Sequence, residues 1–79
     1  MIQSGIQTGV PADGSGTSPV SFSPTFSSAP PVVCTVTSSS STSSAISVQA
    51  IDVTTSGFSI YCTGGQPSTT VSVNWIANL

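Results

Sequence analysis

Few side chains in this sequence can do chemistry. Lys, Arg, His and Glu are all absent, and the only side-chain carboxylates belong to Asp13 and Asp52. Hydrolysis and group transfer need a positioned acid or base. A serine hydroxyl with no His or Lys beside it keeps its unactivated pKa. The sequence therefore points away from an enzyme and offers no catalytic residue. Two carboxylates with backbone carbonyls could hold a weak Ca²⁺ only if the fold brought them together. Asp13 is expected in a loop and Asp52 in a strand, so both read as surface residues, with no metal site and no cofactor.

Cys34 and Cys62 are two thiols, too few for a disulfide framework. Each falls on the apolar parity of its strand, so both are expected in the core as small hydrophobes, close enough to leave a bridge open. Reduced thiols are the default where no secretion signal is present. Tyr61 and the turn Thr63-Gly64-Gly65-Gln66 form the best stretch for a ligand-facing patch. An aromatic ring stacks on a sugar face, and Gln, Ser and Thr hydrogen-bond hydroxyls without charge. The competing reading, in which Tyr61 pads the sandwich edge or a trimer seam, is preferred because lone exposed tyrosines are common.

The charge count also bounds the partners. Net charge is −2 with no cation in 79 residues, so phosphates cannot be neutralised and nucleic-acid binding is excluded as a class. Anionic membranes lack a basic face to meet, and the longest apolar run is too short to span a bilayer. A free soluble protein usually keeps more charge than this; the expectation is a subunit fixed in a larger assembly, solvated by the Ser and Thr that make up roughly a third of the chain. No secretory n-region or h-region is visible at Met1-Ile2-Gln3-Ser4-Gly5, and the chain reads as one Met-initiated domain. At this length a lone monomer buries too little surface to be robust, and oligomerisation is the available remedy.

The elements that must position these residues are strands. Val71, Val73 and Trp75 alternate with Ser72 and Asn74, a half-buried final strand carrying the single Trp. Ile2 and Ile6 suggest a short N-terminal strand or an arm, and Gly9 to Pro19 reads as a loop with an Asp13-Gly14 turn. Residues 1–19 are thus the arm and Gly/Pro-rich loop, and 20–79 the sandwich. Val20 to Phe26 reads as a strand interrupted or edge-placed at Pro24. Val32, Cys34 and Val36 share a strand face, and Ser38 to Ser44 is an exposed, mobile loop. Ile46, Val48 and Ala50 alternate, then Ile51 and Val53 change phase; this predicts a bulge near Ala50-Ile51 or a strand buried on both faces. Phe58, Ile60 and Cys62 share a face of the next strand. No 3.6-residue period persists, so the prediction is an all-β, about six-stranded antiparallel β-sandwich. Phe22, Phe26, Val32, Phe58, Ile60 and Trp75 are its expected core or trimer contacts.

An ordered set of these residues resembles the H-type lectin domain and the related C-terminal domains of bacteriophage tail-fibre proteins. The set is Gly5, Val20-x-Phe22, Phe26, Pro30-Pro31-Val32-Val33, Gly57-Phe58, Cys62 and Trp75-Ile76-Ala77. The resemblance implies a six-stranded sandwich assembled as a parallel trimer and, in lectin members, N-acetylgalactosamine binding in clefts between protomers. Those lectins use an Arg before the Gly-Phe turn and a Trp-His pair after the Cys; here the positions fall at Ala45, Gly65 and Gln66, so the residues that grip the sugar are absent while the scaffold residues are present. The acidic residue from the N-terminal loop falls at Asp13. Tyr61, Thr63, Gly65 and Gln66, by residue type, and Asp13, by the resemblance, make up the candidate ligand or partner surface.

These features together point to a non-enzymatic structural protein on a virion surface. It would be a small trimeric bacteriophage protein, a capsid decoration or fibre-tip subunit, with itself and capsid or tail subunits as partners. The alternative is a carbohydrate-binding, lectin-like module or receptor-binding fibre domain that takes cell-surface glycan.

Overall fold

A computed structural model describes residues 1–38 and 46–79. Within them lie six strands: β1 (Ile2–Pro11), β2 (Thr17–Ser21), β3 (Val32–Ser38), β4 (Ser47–Ile51), β5 (Gly57–Thr63) and β6 (Thr70–Asn78). They form two three-stranded antiparallel sheets, ordered β1–β6–β3 and β2–β5–β4. No described residue is helical, and no helix is long and apolar enough to cross a membrane. The all-β, six-stranded sandwich expected from alternation is the fold observed.

The final strand earns its central place. β6 pairs with β1 on one side, Gly5 opposite Trp75, and with β3 on the other, Cys34 opposite Trp75. Val71, Val73 and Ala77 are buried, with Trp75 packed partly buried against the core they form. From the opposing sheet, Val20, Phe58, Ile60 and Cys62 point inward to meet them. Four aromatic rings cluster in this core. Phe22 lies 4.9 Å from Phe26, 5.6 Å from Phe58 and 5.9 Å from Trp75 between ring centroids, and Phe58 lies 5.5 Å from Trp75. Edge-to-face and tilted pairs at these spacings gain beyond simple area burial. Val32 is partly buried beside the same cluster.

Four expectations are corrected. Phe22 and Phe26 are buried but lie beyond β2, which ends at Ser21. Pro24 cannot donate to a ladder, so the chain leaves the sheet, and the Phe22 and Phe26 amides donate instead to the Ser56 and Thr55 carbonyls, each at 2.9 Å. The loop predicted for Gly9 to Pro19 shrinks to residues 12–16, because β1 runs through an irregularity between Gln7 and Val10 and β2 begins at Thr17. No bulge interrupts β4, whose register with β5 is continuous from Ser47 to Ile51. The change of phase marks the strand's end, where Asp52 takes a φ of 53°. The register shifts fall in β1 and in β3, between Val36 and Ser38. Ser38, expected to open a loop, is the last residue of β3; the remainder of that predicted loop lies in 39–45, outside the described residues, as does Ala45.

Two features fix the ends of the sandwich. The Met1 ammonium donates to the Leu79 carbonyl at 2.7 Å and the Leu79 amide donates back to Met1 at 3.0 Å, tying both termini to one end of β1–β6–β3. At that end too, the Gln3 side chain accepts from the Ser23 amide at 3.0 Å and donates to the Pro24 carbonyl at 2.6 Å. Gly57 is obligatory at the start of β5, since a Cβ there would run into the Val20 carbonyl across the strand pair.

Candidate functional site

The opposite end of the sandwich carries the polar loops. Three backbone bonds stitch the β1–β2 loop to β5 and the β5–β6 connection: Ala12 N–H to Thr69 O at 2.9 Å, Gly65 N–H to Ala12 O at 2.9 Å, and Gly14 N–H to Cys62 O of β5 at 3.0 Å. Thr69 N–H closes the second loop on Gln66 O at 3.1 Å. The Asp13 carboxylate spans both loops, accepting from Ser15 N–H at 3.1 Å and Ser68 N–H at 3.0 Å. Hydrogen bonding from Ser15, first through its side chain, and then from Ser68 lowers the Asp13 carboxyl from its ordinary 3.8 to about 2. Ser68 itself holds a left-handed φ of 67°, an uncommon conformation for a serine, with its amide held by that carboxylate.

Tyr61 and Thr63 reach this end from β5. Their parity is outward, opposite to Phe58, Ile60 and Cys62, and both are half-buried. Gly14 rests against them: a Cβ there would lie 3.2 Å from the Tyr61 hydroxyl and 3.3 Å from Thr63 Cγ2, and its φ is 77°. Glycine is required on both grounds. The fold therefore brings Asp13, Tyr61, Thr63, Gly65 and Gln66 to one end of the molecule, as parts of two clasped loops and the strand beneath them.

Strand pairing adds residues that alternation in the sequence did not single out. Thr17 on β2 and Gln49 on β4 both stand directly opposite Tyr61, one on each side. Ser47 stands opposite Thr63, and Ser59 is flanked by Pro19 and Ile51. Gln49 sits at a polar position of an alternating strand, a signal that marks it as outward but not as a neighbour of Tyr61. That neighbourhood depends on inter-strand register, between consecutive strands for Gln49 and between strands far apart in sequence for Thr17.

Asp52 does not join this cluster. It follows Ile51, which pairs with Ser59 near the start of β5, whereas Asp13 lies beside Cys62 and Thr63 near its end. No group of three or more His, Cys, Asp or Glu side chains that could hold a metal occurs among the described residues. Cys34 and Cys62 are both free thiols, the first partly buried and the second buried. Burial pushes both thiols above the usual range, and for Cys34 the neighbouring Cys62 adds to the rise. Such thiols stay protonated and poorly nucleophilic.

The outer face of β1–β6–β3 has a different character. Ile2, Ile6, Val33 and Ile76 point away from the core and are 63%, 64%, 60% and 44% exposed. Val33 and Ser4 flank Ile76 directly, while Ile2 and Ile6 lie on its diagonals, opposite Asn78 and Asn74.

No curated protein matches the chain. A family model does: that of the H-type lectin domain, over residues 17–78. The matched span covers β2 through β6, the aromatic core and the strand that bears Tyr61. With both sheets of the sandwich represented in the match, the chain belongs to the H-type lectin domain family.

Proposed function

We propose that this chain is a non-enzymatic, lectin-like module that binds carbohydrate and works as a homotrimer inside a larger assembly. The observation that carries the sugar-binding part is the family match over residues 17–78. The clasped loop end supports it, since Asp13, Tyr61, Thr63 and Gln66 converge there and the chain has no cation to serve a phosphate or nucleic acid instead. Sugar binding by neutral hydroxyl and amide groups beside an aromatic ring needs no catalytic machinery, and the chain offers none.

The trimer is supported by the exposed Ile2, Ile6, Val33 and Ile76. A contiguous apolar patch on a sheet face marks an interaction surface. A second copy suits it, because the face carries no charge to repel its own image. The same face favours a second reading, in which the trimer is a bacteriophage surface component, a capsid decoration or fibre-tip subunit held by capsid or tail subunits. Its setting on a virion surface rests on the uncharged sequence and the tail-fibre-like residue pattern. A glycan array probed with the purified protein, alongside its mass by light scattering, tests the proposal. Binding to neutral glycans by a species of three protomers is expected. A monomer that binds no glycan at millimolar sugar overturns it.

A further inference from the structure

We infer that the outer face of β2–β5–β4 is a platform for an uncharged glycan chain, which lies across the strands along the Thr17–Tyr61–Gln49 row. This rests on the carbohydrate-binding reading above and deepens it, naming the ligand class and placing the site within one protomer.

The row is set by register. Thr17 and Gln49 flank Tyr61 at directly opposed positions, and both are exposed. Neighbouring strands lie about 4.8 Å apart, so three strands present an aromatic ring between two polar side chains over about 10 Å. Ser47 and Thr63 form a parallel polar row on one side, and Ser59 extends the face on the other. Hydroxyls and a carboxamide each donate and accept, as sugar hydroxyls do, while the ring offers an apolar face to the C–H surface of a pyranose. Gly14 abuts the hydroxyl end of Tyr61, and its amide is anchored on Cys62 O, so the ring is backed by the loop. Side chains on paired strands are held more firmly than those on loops.

Charge selects among glycans. The face contains no ionisable group other than the Tyr61 phenol, and the chain has no cationic side chain. Asp13, next to the Gly14 that abuts Tyr61, stays ionised down to about pH 2. A sialylated, uronic or sulfated sugar would meet no cationic side chain here and two like charges at the margins, Asp13 at one end and Asp52 at the other; a neutral hexose or N-acetylhexosamine chain meets uncharged polar groups and the Tyr61 ring. A shallow site of this size binds weakly per protomer, and assembly raises avidity.

The test is an array of neutral, sialylated and sulfated glycans probed with the full chain, followed by NMR titration of the best soluble oligosaccharide. The titration compares wild type with Tyr61→Ala, Tyr61→Phe and Gln49→Ala, each checked for folding by its spectrum. Expected are hits confined to neutral glycans, a loss of about tenfold or more for Tyr61→Ala, a smaller loss for Gln49→Ala, and near-wild-type binding for Tyr61→Phe. Neutral-glycan binding indifferent to Tyr61→Ala overturns the platform and leaves the lectin-like reading standing. Hits confined to anionic glycans also overturn the platform. No glycan bound by wild type overturns both.

Discussion

The two outward faces of this sandwich are built from the same alternation and present opposite surfaces. On β1–β6–β3 the outward residues include Ile2, Ile6, Val33 and Ile76; on β2–β5–β4 they include Thr17, Ser47, Gln49, Ser59, Tyr61 and Thr63. Neither face carries a cationic side chain, because the chain has no Lys, Arg or His. Their difference is therefore one of apolar area against hydrogen-bonding capacity. An apolar face gains from leaving water against a copy of itself, whereas a hydroxyl-rich face gains little there and stays available to a polyhydroxyl ligand. Under the proposed function, a chain with almost no charge separates assembly from recognition by assigning each to one sheet.

That division can be broken or sharpened by substitution. The largest effect is expected where the two faces share support. Ile60 is fully buried between the sheets, and Ile60→Ala should cost about 2–5 kcal/mol, lowering the denaturation midpoint and abolishing self-association and sugar binding together. Next, Ile76→Asp puts a carboxylate at the centre of the apolar face. Copies meeting there would bring like charges together at a cost of several kcal/mol, so the mass by light scattering should fall to that of a monomer while the circular-dichroism spectrum is kept. Tyr61→Ala should leave the mass unchanged and weaken neutral-glycan binding about tenfold.

A smaller effect separates the loop end from the platform it supports. Gly14→Ala would place a methyl against the Tyr61 hydroxyl in a left-handed conformation. A loss of about 1–2 kcal/mol in chemical denaturation is expected, with weaker sugar binding at unchanged mass. The smallest concerns Asp13, whose carboxyl is depressed from 3.8 to about 2 in the folded chain. A depressed carboxyl stabilises the fold above its unfolded value, so this contribution is complete above about pH 4 and is lost as pH falls from there through about 2. Thermal unfolding of wild type should therefore converge on that of Asp13→Asn between pH 5 and pH 2, with a visible gap only at the higher pH.

The sequence is legible where burial and alternation coincide. The final strand and the Phe58-Ile60-Cys62 face could be read because their apolar residues point inward. β1 could not be read as a full strand because its pattern is inverted: Ile2 and Ile6 face outward, while Gln3, Gly5 and Gln7 face the sandwich interior. Phe22 and Phe26 advertised a strand by their spacing, yet they reach the core from an irregular segment whose amides are taken up by Thr55 and Ser56. At the candidate site, Tyr61, Thr63, Gln66 and Asp13 were visible from residue type and the family pattern. Thr17 and Gln49 were not, since their position beside Tyr61 depends on inter-strand register, which is a non-local property. Gly14 was visible as a turn residue, but its contact with the Tyr61 phenol was not.

The central claim, that assembly and sugar recognition occupy separate faces, is tested most directly by one titration. A soluble monovalent neutral sugar is titrated into the Ile76→Asp monomer, and its per-protomer affinity is compared with wild type. Unchanged affinity in the monomer is predicted, because Thr17, Tyr61 and Gln49 all come from one protomer. Loss of that affinity on dissociation would contradict the claim and move the sugar to a cleft between protomers.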